Sequence, residues 1–185
     1  MPQVSARAGG EGVVRARRGG PRLLVALTLV AMCFSCQGAN TLEGSLGEVL
    51  DLGYTAVEVS VTGYAIIVSY VRPHLTTRDT VFRLVVYIDP TTVVSGRPID
   101  LSPREDGSPR AQVTRSVGGD PIRTLAAIKT GELTLQGSSP DGGSPVFIDA
   151  PINGELRVTF GEGGDAGKGR TAFGQFRTPR VLPGS

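Results

Sequence analysis

The chain has no tryptophan, a single histidine and two cysteines, and each scarcity removes a class of chemistry. With His74 alone, a His–His metal site within the chain is excluded, and a three-histidine zinc site more so. Cys33 and Cys36 both lie near the N-terminus, so the sequence beyond Cys36 can form neither a disulfide nor a cysteine metal site of its own. The lack of tryptophan argues against a lectin built on flat indole platforms. Tyr54, Tyr64, Tyr70 and Tyr87 are the main amphipathic aromatics, and at alternate strand positions tyrosines more often pack the rim of a core. Lysine is nearly missing, 2 residues against 17 arginines, which with abundant alanine, glycine and proline marks a GC-rich bacterial composition and carries no mechanism.

Charge is unevenly placed. Arg7, Arg15, Arg17, Arg18 and Arg22 face one acid, Glu11, in the first 35 residues, which leaves 14 basic and 16 acidic side chains for the rest of the 185. That remainder sits near −2, and a surface without basic excess is not one that neutralises phosphates, so no nucleic-acid partner is expected. About 150 residues after such a leader can bury one core, and one domain is the default. The 26 glycines and 13 prolines make a chain rich in turns but short of the proportion that signals disorder.

The N-terminus reads as an export signal. The basic stretch RARRGGPR, residues 15–22, precedes the apolar run LLVALTLVAMCF, residues 23–34, and then small and polar residues. Twelve residues of helix cover about 18 Å, well short of the roughly 30 Å hydrocarbon core, so a permanent span is the weaker reading. Arg17 and Arg18 are followed by Gly19-Gly20-Pro21 rather than by apolar residues, which favours ordinary signal charge over twin-arginine export. The late basic region is consistent with translation starting at Val13 or Val14; a precursor peptide from residues before Val13 would exclude that.

Ser35 before Cys36, at the end of the apolar run, resembles a bacterial lipoprotein signal, in which a small residue precedes a cysteine that is acylated and becomes the first mature residue. The resemblance covers about twenty residues and departs from the family at Cys33 and Phe34, where an aliphatic and a small residue are preferred. It implies lipidation at Cys36, with Cys33 behind Met32 as the poorer candidate. Several acyl chains, at about 0.8 kcal/mol per buried methylene, would hold the protein on a membrane essentially permanently. The competing reading is a conventional signal with two incidental cysteines. A CxxC redox motif needs a folded helix start to lower the thiol pKa, and a leader does not supply one.

Residues 1–35 are thus expected to form a signal helix, 36–44 a tether, and 45–185 the folded domain. Alternation of period two runs through 56–62, where Val57, Val59 and Val61 share a face, and through 80–89, where Phe82, Leu84, Val86 and Ile88 do. Residues 64–72 (YAIIVSYVR) are apolar on both faces near the middle and predict a central strand. Further strands are expected at 45–51, 111–117, 132–136, 146–149, 154–160 and 170–176, with Leu156, Val158 and Phe160 on one face. A bulge at Gly174 would place both Phe173 and Phe176 in the core. Residues 122–128 read as a strand, with a helix capped by Asp120 and started by Pro121 as the alternative. The fold class is all-β, an antiparallel β-sandwich of about eight strands, with a small β-barrel as the alternative.

Candidate sites are few. The loop GEGGDAGKG, residues 161–169, misses the nucleotide P-loop pattern, since its first glycine is one residue too far from Gly167 and Gly169 replaces the hydroxyl residue after Lys168. It also joins two strands, so a flexible hairpin is expected there. Glu162, Asp165 and Asp141 lack the closely spaced carboxylates of a calcium site and read as solvated turn residues. His74 follows Pro73 in a segment that reads as a loop, and with no G-x-S-x-G stretch beside it an exposed loop histidine is expected. Glu58, Glu132 and Glu155 are available for paired-carboxylate chemistry, but only a cleft would make a pair of them. No catalytic, cofactor-binding or metal-ligating residue is assigned.

As a whole the chain resembles small envelope lipoproteins of GC-rich bacteria such as myxobacteria: a leader, a cysteine, then a glycine-rich β domain ending in G-x-F, here Gly174-Gln175-Phe176. The resemblance implies a location, most simply lipid-anchored at the outer membrane with Gln37 compatible with that sorting, and otherwise periplasmic or secreted. It implies no activity. The expected role is a non-catalytic binding or structural module, meeting the membrane through its lipid anchor and an envelope protein or glycan through loops or a sheet edge. The alternative is a hydrolase of an envelope polymer, which requires His74 or carboxylates to converge in a cleft.

Overall fold

The computed structural model describes residues 40–137, 144, 146, 148–163 and 166–184. Cys33, Cys36, Asp141 and Asp165 lie outside the described residues. The chain forms an all-β sandwich of two sheets, mostly antiparallel and not closed into a barrel. The strands are β1 (Thr41–Glu43), β2 (Ala56–Val61), β3 (Ile66–His74), β4 (Thr77–Val86), β5 (Ile99–Asp100), β6 (Ala111–Ser116), β7 (Arg123–Thr124), β8 (Ile128–Gly137), β9 (Ile152–Phe160), β10 (Thr171–Thr178) and β11 (Val181–Pro183). One sheet has six strands in the order β11-β2-β3-β4-β6-β7, and the other has five in the order β1-β10-β9-β8-β5. Consecutive strands of the first half build the six-stranded sheet and those of the second half the five-stranded one. The short outer strands cross over: β1 and β5 join the second-half sheet, and β11 runs parallel to β2 in the first-half sheet. The ends of the domain therefore tie the two layers together, and among the described residues the outermost strand at each sheet edge is two or three residues long.

The expected alternation places the core. Val57 and Val59 of β2, Ile66, Val68 and Tyr70 of β3, and Phe82, Leu84 and Val86 of β4 all point inward and are buried. Facing them are Leu133 and Leu135 of β8, Leu156, Val158 and Phe160 of β9, and Ala172 and Phe176 of β10. Burial of each such large side chain contributes roughly 1.5–3 kcal/mol. Tyr70 lies at the centre, edge-on to Tyr54 at 4.9 Å and to Phe82 at 6.1 Å between ring centroids. β3, read as a central strand, is flanked by β2 and β4.

Several local expectations give way. Residues 45–51 are not a strand: Ser45–Glu48 is a 3-10 turn. There the Ser45 hydroxyl accepts from the Thr171 amide at 2.9 Å, and Leu46 turns into the core, so side-chain bonds replace a strand ladder. Thr41–Glu43, within the stretch read as tether, pairs with β10. No bulge forms at Gly174; β10 pairs with β9 in unbroken register from Thr171 to Thr178, so Phe173 faces outward while Phe176 is buried. Gly174 is required instead by close approach, because a Cβ there would stand 2.4 Å from the Tyr70 hydroxyl. Residues 122–128 do not form one strand: Arg123–Thr124 is β7, buried Leu125 and Ala126 carry the chain across to the other sheet, and β8 begins at Ile128. In 146–149, Ile148 makes an isolated parallel bridge to Val181, and Asp149 at φ 63° turns the chain away.

Candidate functional site

The hairpin of β3 and β4 carries the largest group of charges that the fold draws together among the described residues. Arg72 bonds Asp79 through Nε at 3.0 Å, and through Nη1 it donates to the Asp51 carboxylate and to the Gly53 carbonyl. The second oxygen of Asp79 accepts from the Gly118 amide at 2.8 Å, and His74 Nδ1 lies 3.9 Å from it. Arg115 donates to the carbonyls of Asp51 and Val81. Burial alone would push the Asp79 carboxyl up, but the Gly118 amide, the Arg72 bond and the nearby positive charge outweigh it and hold it below the usual carboxylate range. The Arg72 hydrogen bond does the same for Asp51. Burial and the neighbouring Arg72 push Arg115 down. These bonds join the hairpin to the 51–53 and 117–119 segments, which makes the cluster a structural clamp. His74, half-exposed, is the last residue of β3 rather than a loop residue, and it faces Asp79.

The outward face of the five-stranded sheet is different. Its cross-strand rows follow from register: Thr41, Gln175, Glu155 and Thr134 form one, Glu43, Phe173, Arg157 and Glu132 the next, and Arg177, Asn153 and Gln136 a third. Neighbouring strands lie roughly 4.8 Å apart, so side chains in a row stand within contact distance of a shared small group. Three open depressions lie on this face. One of about 230 Å³ is bounded by Gln136, Asn153, Glu155, Gln175 and Arg177. A second, about 490 Å³, shares Gln136, Asn153 and Arg177 with it, and a third, about 390 Å³, shares Glu155 and Gln175 and reaches Phe173. Among the described residues, the face holds one side-chain to side-chain hydrogen bond, from Gln175 Nε2 to Glu155 Oε1 at 3.4 Å. Arg157 stands opposite Glu132 without forming an ion pair.

A fourth cavity, about 260 Å³, is lined by Leu101, Ala111, Val113, Leu125, Ala126 and Ile128. Its nearest polar pair, Gln112 and Thr124, is bonded to itself at 2.8 Å. It offers a ligand little to orient on.

The glycine-rich 161–169 segment is the β9–β10 hairpin, with Glu162 held by Lys168 at 3.4 Å. No helix starts after it to face a phosphate. Among the described residues no three His, Cys, Asp or Glu side chains converge as metal ligands, and no helix is long and apolar enough to cross a membrane. Glu58 pairs with Arg78 on the six-stranded sheet, far in sheet order from Glu132 and Glu155, which share the five-stranded face and are exposed. Comparison of the chain with family models, curated proteins and solved structures finds no match.

Asn153, Gln175, Gln136, Arg177 and outward Phe173 were not singled out by sequence reasoning. The signal was present in the alternation of 152–160 and 171–178, which sets these residues opposite the core. The register that lines up β8, β9 and β10 was not.

Proposed function

We propose that this protein is a lipid-anchored envelope lipoprotein, acylated at Cys36, whose β-sandwich is a non-catalytic binding module. Its binding surface is the outward face of the five-stranded sheet. The observation that carries this reading is the run of connected depressions on a face whose polar side chains are largely unengaged by the fold. Leaving such groups unpaired at a surface costs little in water, and each is available to a partner. The anchor rests on the signal and the cysteine in the sequence.

A hydrolase finds less support. A carboxylic acid that donates a proton near neutrality needs a desolvated pocket, and Glu132 and Glu155 stand exposed on an open face.

Two measurements test the parts separately. Cells labelled with an acyl-chain precursor should yield a labelled, membrane-bound chain whose label and mass increment vanish in Cys36→Ala. An unlabelled soluble mature chain sinks the anchor. Isolated envelopes should retain the purified full chain, and Asn153→Ala with Gln175→Ala should abolish retention while Ser69→Ala, on the six-stranded sheet, leaves it intact. The reverse pattern places the surface elsewhere.

A further inference from the structure

We infer that the ligand of the five-stranded face is a neutral, hydroxyl-rich polysaccharide chain; this deepens the binding-module reading and rests on that face being the surface used. The hydrogen-bond inventory points to hydroxyl groups. Gln136, Asn153 and Gln175 each present both a donor and an acceptor, flanked by Arg177, which only donates, and Glu155, which only accepts. A sugar hydroxyl donates and accepts at once, and neighbouring hydroxyls on a ring match planar amide, guanidinium and carboxylate groups set one strand apart.

Phe173 supplies the second element. Other exposed large hydrophobics, including Tyr64, Leu75 and Ile122, lie in turns and connections, whereas Phe173 is in mid-strand, two residues from Gln175 and on the same face, with 41% of its surface exposed. The C–H-lined face of a sugar ring is complementary to the negative face of a phenyl ring. No tryptophan is needed for such a platform.

Charge selects among polymers. Glu43, Glu132 and Glu155 share the face with Arg157 and Arg177, and the Phe173 row holds both signs, so a charged polymer of either sign that runs across the rows meets groups of its own sign. A protein partner would be expected to bury an apolar centre with a polar rim, whereas this face mixes amides and charges throughout and, among the described residues, carries Phe173 as its aromatic. The depressions are open and continuous through shared side chains, which suits a chain of several sugar units over a single one.

The test is affinity electrophoresis of the full chain, in mild detergent, through native gels containing dextran, galactomannan, mixed-linkage β-glucan or, as anionic controls, alginate and polygalacturonate. The expected result is retardation by at least one neutral polymer and by neither anionic one. Phe173→Ala, and Asn153→Ala with Gln175→Ala, should each weaken that retardation about tenfold or more at an unchanged thermal midpoint, and Ser69→Ala should not. No retardation by any neutral polymer, retardation by the anionic ones alone, or retardation indifferent to these substitutions overturns the inference. The envelope-retention measurement then separates the two failures. If retention still depends on Asn153 and Gln175, the face binds something other than a neutral glycan; if it does not, the face is not the binding surface.

Discussion

On the six-stranded sheet, Glu58 holds Arg78, Tyr87 donates to Gln112 and Gln112 to Thr124, and Arg72, Asp79, Asp51 and Arg115 form a network; Arg83 and Arg110, whose Nε atoms are buried without a partner among the described residues, are exceptions. On the five-stranded sheet the outward amides, arginines and carboxylates make a single weak side-chain to side-chain bond among the described residues. The inner faces are matched by shape: Gly174 of the five-stranded sheet lies under the Tyr70 hydroxyl of the other sheet, and Gly154 lies under the ring of Phe176 from the neighbouring strand of its own sheet. One layer uses its polar groups to hold itself together; the other is held by its fit to the core and its outer groups are left free. Substitutions should therefore sort by layer and face.

The largest effect is expected at Gly154. A Cβ there would stand 2.3 Å from Phe176 Cζ, in a strand paired on both sides, so neither backbone nor ring has room to yield. Gly154→Ala should cost about 3 kcal/mol in urea unfolding, and combining it with Phe176→Leu should cost less than the sum of the two. Strict additivity would mean that the ring is not what the glycine accommodates.

Gly174 gives a finer version of the same fit. Gly174→Ala should cost about 2 kcal/mol, less than Gly154→Ala, because the close atom is the tip of one side chain at 2.4 Å with the next neighbours at 3.2 Å, whereas at Gly154 the Phe176 ring presents atoms at 2.3, 2.9 and 2.9 Å. That tip is the Tyr70 hydroxyl, buried with no hydrogen-bond partner among the described residues, and burial pushes its pKa up. Tyr70→Phe should thus be neutral or stabilising by up to about 1 kcal/mol, and should recover part of the Gly174→Ala loss. A costly Tyr70→Phe would show that the hydroxyl has a partner after all.

The clamp at the β3–β4 hairpin tests the other layer. Asp79 and Asp51 both have carboxyls held below their ordinary values in the folded state. Groups lowered in this way stabilise the fold fully above the unfolded-state pKa, near pH 4, and lose that contribution as pH falls through the folded value. The urea midpoint should fall on acidification below about pH 4, and Asp79→Asn should lower it at neutral pH while flattening its acid dependence. An Asn variant that tracks wild type at every pH would make the clamp ornamental.

How far this division could be read beforehand depends on the scale of the signal. Valines and leucines at alternate positions in 56–61, 82–86 and 156–160 carry their own period, so the strands, their buried faces and the sandwich were legible. Phe173 was misassigned because alternation alone leaves two phenylalanines three apart on opposite faces, and a bulge at the intervening glycine was a local way to reconcile them. The tertiary reason for that glycine, a tyrosine hydroxyl arriving from residue 70 in the other sheet, has no local trace. The same holds for the binding face. Asn153, Gln175 and Gln136 are ordinary outward residues one strand at a time, and become a surface only when register sets them side by side.

The smallest expected effect on stability is therefore the most informative about function. Asn153→Ala and Gln175→Ala remove side chains that are exposed and, apart from the 3.4 Å contact between Gln175 and Glu155, unbonded to other side chains. Each should shift unfolding by no more than about 0.5 kcal/mol, within the range of unremarkable surface changes. Selection for folding alone then gives these positions no reason to be amides. If the pair leaves the thermal midpoint unchanged while envelope retention is lost, stability and binding reside on different faces of one sheet. A loss of several kcal/mol from either substitution would instead make the amides part of the fold, and the two outer faces would no longer differ in kind.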